Sequence, residues 1–183
     1  NKQFQQAIDR LKIAMTAEQP SIATRINWLF ARASHVAHRE EALQQAQELV
    51  ADSETPRTLQ RAAALVLAGL AHNPTTAKKV LMDQVGRGSP ADDAAIHFSL
   101  GLLAMRAGDY TRASNAFSQA SLKQRNPWAH YNRALALRGL NKRQQALDEL
   151  VAALRAAGLQ KSSENLSRKP LTCHRTSARP PSS

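Results

Sequence analysis

A single cysteine, Cys173, stands in the whole chain. No intrachain disulfide can form from it, and a four-cysteine zinc site is excluded. Cytosol and bacterial periplasm both suit such a chain, so the compartment stays open. Aromatic residues make up only 4% of the sequence, and nowhere do apolar and polar residues alternate over the length of a strand. The period-2 signature of a sheet is missing, which leaves an all-α fold. No apolar run approaches the ~18 residues of a membrane-crossing helix. No Ser/His/Asp, Cys/His or paired-carboxylate set stands out either. Cys173 and His174 are neighbours, but in a segment with nothing to position them, and catalysis depends on position. Neither an enzyme nor a cofactor is expected.

Positive charge, by contrast, is plentiful and uneven. The net charge is +11. Residues 1–56 hold six Lys/Arg against seven acids, residues 57–160 fourteen against six, and residues 161–183 five against one. The excess belongs to the middle of the chain and its C-terminal part. From residue 159 onward the composition shifts to Ser, Arg, Lys and Pro. Such a stretch buries too little apolar surface to offset chain entropy, so 159–183 is expected to be a disordered basic tail. The chain opens at Asn1, already inside a helical pattern, as expected of a fragment or a processed chain.

The dominant signal is an internal repeat. Ala7, Ala42, Ala77, Ala113 and Ala146 fall 35, 35, 36 and 33 residues apart. Four residues after each stand Leu11, Ala46, Leu81, Phe117 and Leu150, and Pro20, Pro56, Pro90 and Pro127 close four of the five units. An alanine at a fixed place in each unit fits the closest approach of two helices, where a larger side chain would force them apart. Proline is tolerated in the first turn of the next helix, where its missing N–H is not needed. The clearest unit is 94–120, in which Ile96, Leu100, Leu103 and Ala104 lie at helical spacing, Gly108-Asp109 breaks the pattern, and Ala113, Phe117 and Ala120 resume it. Gly108 suits a left-handed turn and Asp109 a helix cap. Helices are predicted over 2–18, 21–35, 39–52, 58–72, 75–85, 92–107, 109–123, 128–140 and 142–157. Gly86-Arg87-Gly88-Ser89-Pro90 reads as the loosest internal linker.

These landmarks resemble the tetratricopeptide repeat family, whose ~34-residue helix–turn–helix units stack into a right-handed superhelix. Leu100-Gly101, Gly108-Asp109-Tyr110, Ala113, Phe117 and Ala120 carry the resemblance in one unit. Tyr131-Asn132, Ala134, Leu137, Ala146, Leu150 and Ala153 carry it in the next. The resemblance implies an α-solenoid of about 4.5 hairpins over 1–158, with units near 1–19, 21–55, 57–89, 91–126 and 127–158. Leu65 replaces the family's small residue and Gln84 its small apolar one, so altered packing is expected there. The family's usual role implies a scaffold that binds a peptide or protein segment in its concave groove. By the same resemblance Phe98, Leu102, Met105 and Arg106 line that groove from one unit, and Trp128, Tyr131, Asn132, Leu135 and Arg138 from the next. Chaperone-binding members hold a peptide carboxylate with an asparagine like Asn132, but also need lysine and asparagine one repeat earlier. Phe98 and Leu102 stand there, so the expected ligand is an apolar or mixed segment flanked by acidic residues.

Other clusters have plainer readings. His35 and His38 have the i, i+3 spacing of a metal pair, yet zinc needs three or four ligands, and Glu40 and Glu41 suit the first turn of a helix. Gly86–Ser89 lacks both the Lys-Ser/Thr and the preceding strand of a phosphate loop. Arg106, Arg112, Arg133, Arg138, Lys142 and Arg143, with Lys161, Arg168, Lys169, Arg175 and Arg179, open an alternative: non-specific contact with nucleic-acid phosphates. The tail charges suit an anionic membrane surface less well. A third alternative is an oligomerisation module. Leu147, Leu150, Val151 and Leu154 form an apolar stripe with no following repeat to cover it, whereas solenoid ends normally present a polar cap.

Overall fold

A computed structural model describes residues 2–70 and 73–159, with side chains from Gln5 onward. The expected tail therefore falls outside the described residues, apart from Leu159. Among the described residues every regular element is a helix, and no strand occurs. The helices are α1 (Lys2–Met15), α2 (Ile22–Ser34), α3 (Arg39–Ala51), α4 (Arg57–Leu70), α5 (Pro74–Met82), α6 (Pro90–Arg106), α7 (Tyr110–Lys123), α8 (Pro127–Gly139) and α9 (Arg143–Ala156), with a 3₁₀ turn at Val36–His38. Each packs chiefly on its neighbours in sequence, and α2 also meets α4, the arrangement of a helical-repeat solenoid. None of these helices is long and apolar enough to cross a membrane.

Local chemistry sets the boundaries. The Thr24 N–H donates to Ser21 Oγ at 3.1 Å, which caps α2. Asn73 and Asn126 accept from the N–H groups of Thr75 and Trp128, both at 2.9 Å, and the proline after each opens the helix. Asp109 accepts from the Arg112 N–H at 3.0 Å. Gly108 has φ +72°, and the Asp109 N–H reaches back to the Ala104 carbonyl at 2.9 Å. That closes α6 with the left-handed stop that glycine permits.

The alanine ladder is the packing seam. Ala42, Ala77, Ala113 and Ala146 are buried. Phe117, one turn after Ala113, is wholly buried and lies on Gly101. A Cβ at Gly101 would stand 2.6 Å from Phe117 Cε1, so only glycine lets α6 and α7 approach this closely. Ala7 departs from the ladder. It is exposed, and its neighbour Ile8 is buried at 3% instead. Among the described residues α1 has α2 as its main partner, so the face that would meet a hairpin mate is bare and α1 turns Ile8 inward.

The loop expected to be loosest is instead pinned. Helix α5 stops at Met82, three residues short of expectation, and the chain returns through 83–89 with Gly86 at φ +74°. The Gly86 N–H donates to Asp93 Oδ1 at 3.0 Å, and Lys123 of α7 meets the other oxygen of that carboxylate at 3.3 Å. Ser89 and Asp92 form a reciprocal capping box at the start of α6. Asp92 also takes Arg61 Nη1 of α4 at 3.0 Å, and the Arg61 guanidinium lies where a Cβ on Gly88 would be. Asp92 is held below the usual carboxylate range, chiefly by the Ser89 hydroxyl. Burial works to raise the Asp93 value, but the Gly86 N–H and Lys123 outweigh it and keep it low. Three helices thus hold this loop through charge-assisted bonds.

Candidate functional site

The nine groove residues expected from the sequence divide by how the helices present them. On α8, Trp128, Tyr131, Leu135 and Arg138 recur at i, i+3, i+7 and i+10, one helical face. Trp128 is 67% exposed and Tyr131 42% exposed, with rings edge-on at 6.2 Å. Leu135 is half-buried and Arg138 exposed. Asn132 donates from Nδ2 to the Trp128 carbonyl at 2.8 Å, so its amide is partly engaged by its own helix. The adjacent face of α8 is structural: His130 and Arg133 meet the two oxygens of Glu149 on α9 at 2.8 and 2.7 Å.

On α6, Leu102 and Arg106 are exposed. With Leu65, Ala68 and Gly69 of α4 they edge a shallow hollow of about 60 Å³. Phe98 and Met105 are turned partly into the core. Phe98 meets Phe117 edge-on at 5.5 Å, and Met105 packs on the same cluster. The large apolar area presented to solvent here therefore comes from Trp128, Tyr131 and Leu102.

A second concavity was not anticipated. Between α5 and α7, over the opposite side of α6, lies a cleft of about 690 Å³. Its floor is Leu100, Leu103, Ala104 and Ala107 of α6. Pro74, Lys78 and Met82 form one wall, and Arg112, Asn115 and Gln119 the other. The cleft exists because α5 has only nine residues and meets α6 along less of its length than α3 meets α4. Gln84, which stands in place of the family's small apolar residue, was the trace of this in the sequence, and it is buried in the turn after α5.

The remaining clusters are accounted for locally. The His35 and His38 rings are 5.2 Å apart on the 3₁₀ turn, and no group of three candidate metal ligands occurs among the described residues. Arg112 pairs with Asp109 at 3.2 Å and Arg133 with Glu149, while Arg106, Arg138, Lys142 and Arg143 are exposed. The other five cations of that set lie outside the described residues. Leu147, Leu150, Val151 and Leu154 of α9 are between 36% and 56% exposed.

No protein-family model matches the chain, and no curated protein does. Solved structures do. A crystal structure of MamA matches with a TM-score of 0.64 at 17% identity, covering 88% of this chain and 91% of that one. A second MamA crystal structure gives 0.62 at 17%, covering 98% and 90%. A third, of MamA MSR-1, gives 0.61 at 16%, covering 88% and 90%. At this identity the likeness is one of fold.

Proposed function

We propose that the chain is a tetratricopeptide-like interaction scaffold, and that it holds a peptide or protein segment against the wall formed by α6 and α8. Its role on this reading is binding rather than catalysis. The observation that carries the reading is Trp128, 67% exposed beside a 42% exposed Tyr131, at positions the fold does not need for its own core. Trp, Tyr and Arg are the residues that concentrate binding energy at interfaces, and Leu102, Arg106 and Arg138 supply apolar contact and positive charge on the same two helices. The ligand is a mixed segment with apolar side chains for Trp128 and Leu102 and acidic ones for the arginines.

The test is capture of partners from the source cell with the intact gene product, followed by affinity measurement on purified components. Trp128→Ala weakens binding by about 2 kcal/mol, roughly 30-fold. Arg106→Glu with Arg138→Glu abolishes binding and leaves the far-ultraviolet circular dichroism unchanged. Equal affinity for the doubly reversed chain refutes this wall.

Self-association has its own supporting observation, the exposed stripe of α9. It predicts a sedimentation coefficient that rises with concentration and becomes constant in Leu147→Asp with Leu154→Asp. A sedimentation coefficient independent of concentration in the unaltered chain removes this reading.

A further inference from the structure

The α5–α7 cleft lies across α6 from the proposed wall, with the buried Leu103 bordering both the cleft and the hollow beside Leu102 and Arg106. At about 100° per residue, Leu100, Ala104 and Ala107 point away from Phe98, Leu102 and Arg106 on the opposite side of α6. We propose that this cleft is a second docking site, for an extended peptide segment with apolar side chains at alternate positions and at least one acidic residue.

Size comes first. The cleft holds about 690 Å³, within the ~300–1,000 Å³ typical of ligand sites. The α5 wall from Pro74 to Met82 runs about 12 Å at 1.5 Å per residue. Four residues of extended chain, at about 3.3 Å each, cover that length.

The chemistry of the α7 wall favours an extended ligand over a helix. Asn115 and Gln119 carry neutral amides one helical turn apart, and neither has a side-chain partner among the described residues. A bound helix has its peptide groups closed in its own hydrogen bonds. An extended chain presents an N–H and a C=O to one side at every second residue, about 6.7 Å apart. The two amides stand about 6 Å apart along α7, so they match successive peptide groups. The floor repeats with the same step: Leu100 and Ala104, then Leu103 and Ala107, are each one turn apart. Alternate side chains of the segment then fall on apolar floor while its backbone meets the amides.

Charge selects the sequence. Lys78 stands on one wall with no ion-pair partner among the described residues, and Arg112 stands on the other. Arg112 is 72% exposed, and its one anion among the described residues, Asp109, is also the N-cap of α7. Asp109 also lines the cleft, so Lys78 and Arg112 leave its lining with one net positive charge across an apolar floor, which complements an acidic residue in the ligand.

The test uses a library of random dodecapeptides panned on the full chain, followed by fluorescence anisotropy with the enriched synthetic peptide. The enriched sequences show apolar residues at alternate positions and at least one Asp or Glu. Binding falls at least tenfold in Asn115→Ala with Gln119→Ala, both exposed positions whose change leaves the core intact, and also in Lys78→Glu. Methylating alternate backbone nitrogens of the peptide core weakens it, and methylating the intervening ones does not. Trp128→Ala leaves it unchanged, which separates this site from the α6–α8 wall. The proposal is overturned by any of four results: no enrichment, apolar spacing at i, i+4 with no alternation in the methylation effect, indifference to the amide double variant, or loss in Trp128→Ala.

Discussion

Two glycines, Gly101 on α6 and Gly69 on α4, should respond to the same substitution with opposite signs. Gly101 of α6 lies beneath Phe117, and an added Cβ would come 2.6, 2.7 and 2.8 Å from three atoms of that ring. Carbon contacts settle near ~3.5–4.0 Å, so the shortfall is about 1 Å against a ring that is wholly buried. Overpacking costs ~1–3 kcal/mol, and this geometry belongs at the upper end. Alanine returns about 1 kcal/mol of helix propensity. The net expectation for Gly101→Ala is a loss of about 2 kcal/mol. A domain of this size then melts ~4–8 °C lower. Gly69, near the end of α4, has nothing within 4 Å of its added Cβ. Gly69→Ala keeps the propensity gain alone and stabilises by ~0.5–1 kcal/mol. Urea unfolding followed by circular dichroism reads both. In Gly101→Ala, a further Phe117→Leu change makes room for the methyl, so the pair couples by about 1 kcal/mol or more. Equal effects at the two glycines would refute the reasoning, as would additivity of Gly101→Ala and Phe117→Leu to within ~0.5 kcal/mol.

The packing seam predicts that Ala113→Leu costs ~1–3 kcal/mol by overpacking, whereas Ala7→Leu, at an exposed site, stays within about 0.5 kcal/mol; a neutral melting curve for Ala113→Leu contradicts the repeat register. Arg61 is 7% exposed and Asp92 45%. Asp92→Asn strands a buried guanidinium and costs ~1–2 kcal/mol, below the fully buried case because the carboxylate is half in water, while Arg61→Met removes the charge and costs less. Equal losses in urea unfolding would count against the clamp. Asp93 is held below the ordinary carboxylate range in the fold, so its contribution is complete above the unfolded value near ~3.9 and is lost as pH falls through the lowered one. Between pH 5 and pH 2.5 the urea midpoint of the unaltered chain therefore falls further than that of Asp93→Asn; parallel curves would show that Asp93 contributes nothing.

Much of this architecture is written locally. The periodic alanines at 42, 77, 113 and 146 and the Gly108-Asp109 turn each depend on a few neighbouring residues, and each is found where the sequence pattern puts it. Ala7 fails for a reason outside its own helix: burial there requires a facing helix, and pattern alone does not supply one. The 86–90 stretch looked loose because glycine and proline mark breaks. What holds it is Arg61 and Lys123, thirty-one and thirty residues from their carboxylates. Pairings at that range are set by how α4, α6 and α7 stack. Among the residues that the family resemblance assigned to the groove, Trp128 and Tyr131 lie three apart on one exposed face of α8. The resemblance did not show that Phe98 and Met105 lean onto Phe117, because Gly101 opens the space they share with it. The α5–α7 cleft was hidden for a related reason. A cleft is packing that does not occur, and its trace in the sequence was Gln84 standing in place of a small apolar residue.

On the proposed function, the exposed face of α6 and α8 carries the partner. Photo-crosslinking in the source cell tests it directly, with a benzophenone amino acid placed at Trp128, at Leu102 and, as a control, at Leu122, which is 76% exposed on α7. One shared adduct forms from positions 128 and 102, is absent at 122 and is reduced by Arg106→Glu with Arg138→Glu. An adduct formed equally from position 122, or none from 128 and 102 beside a partner that still co-purifies, would contradict it.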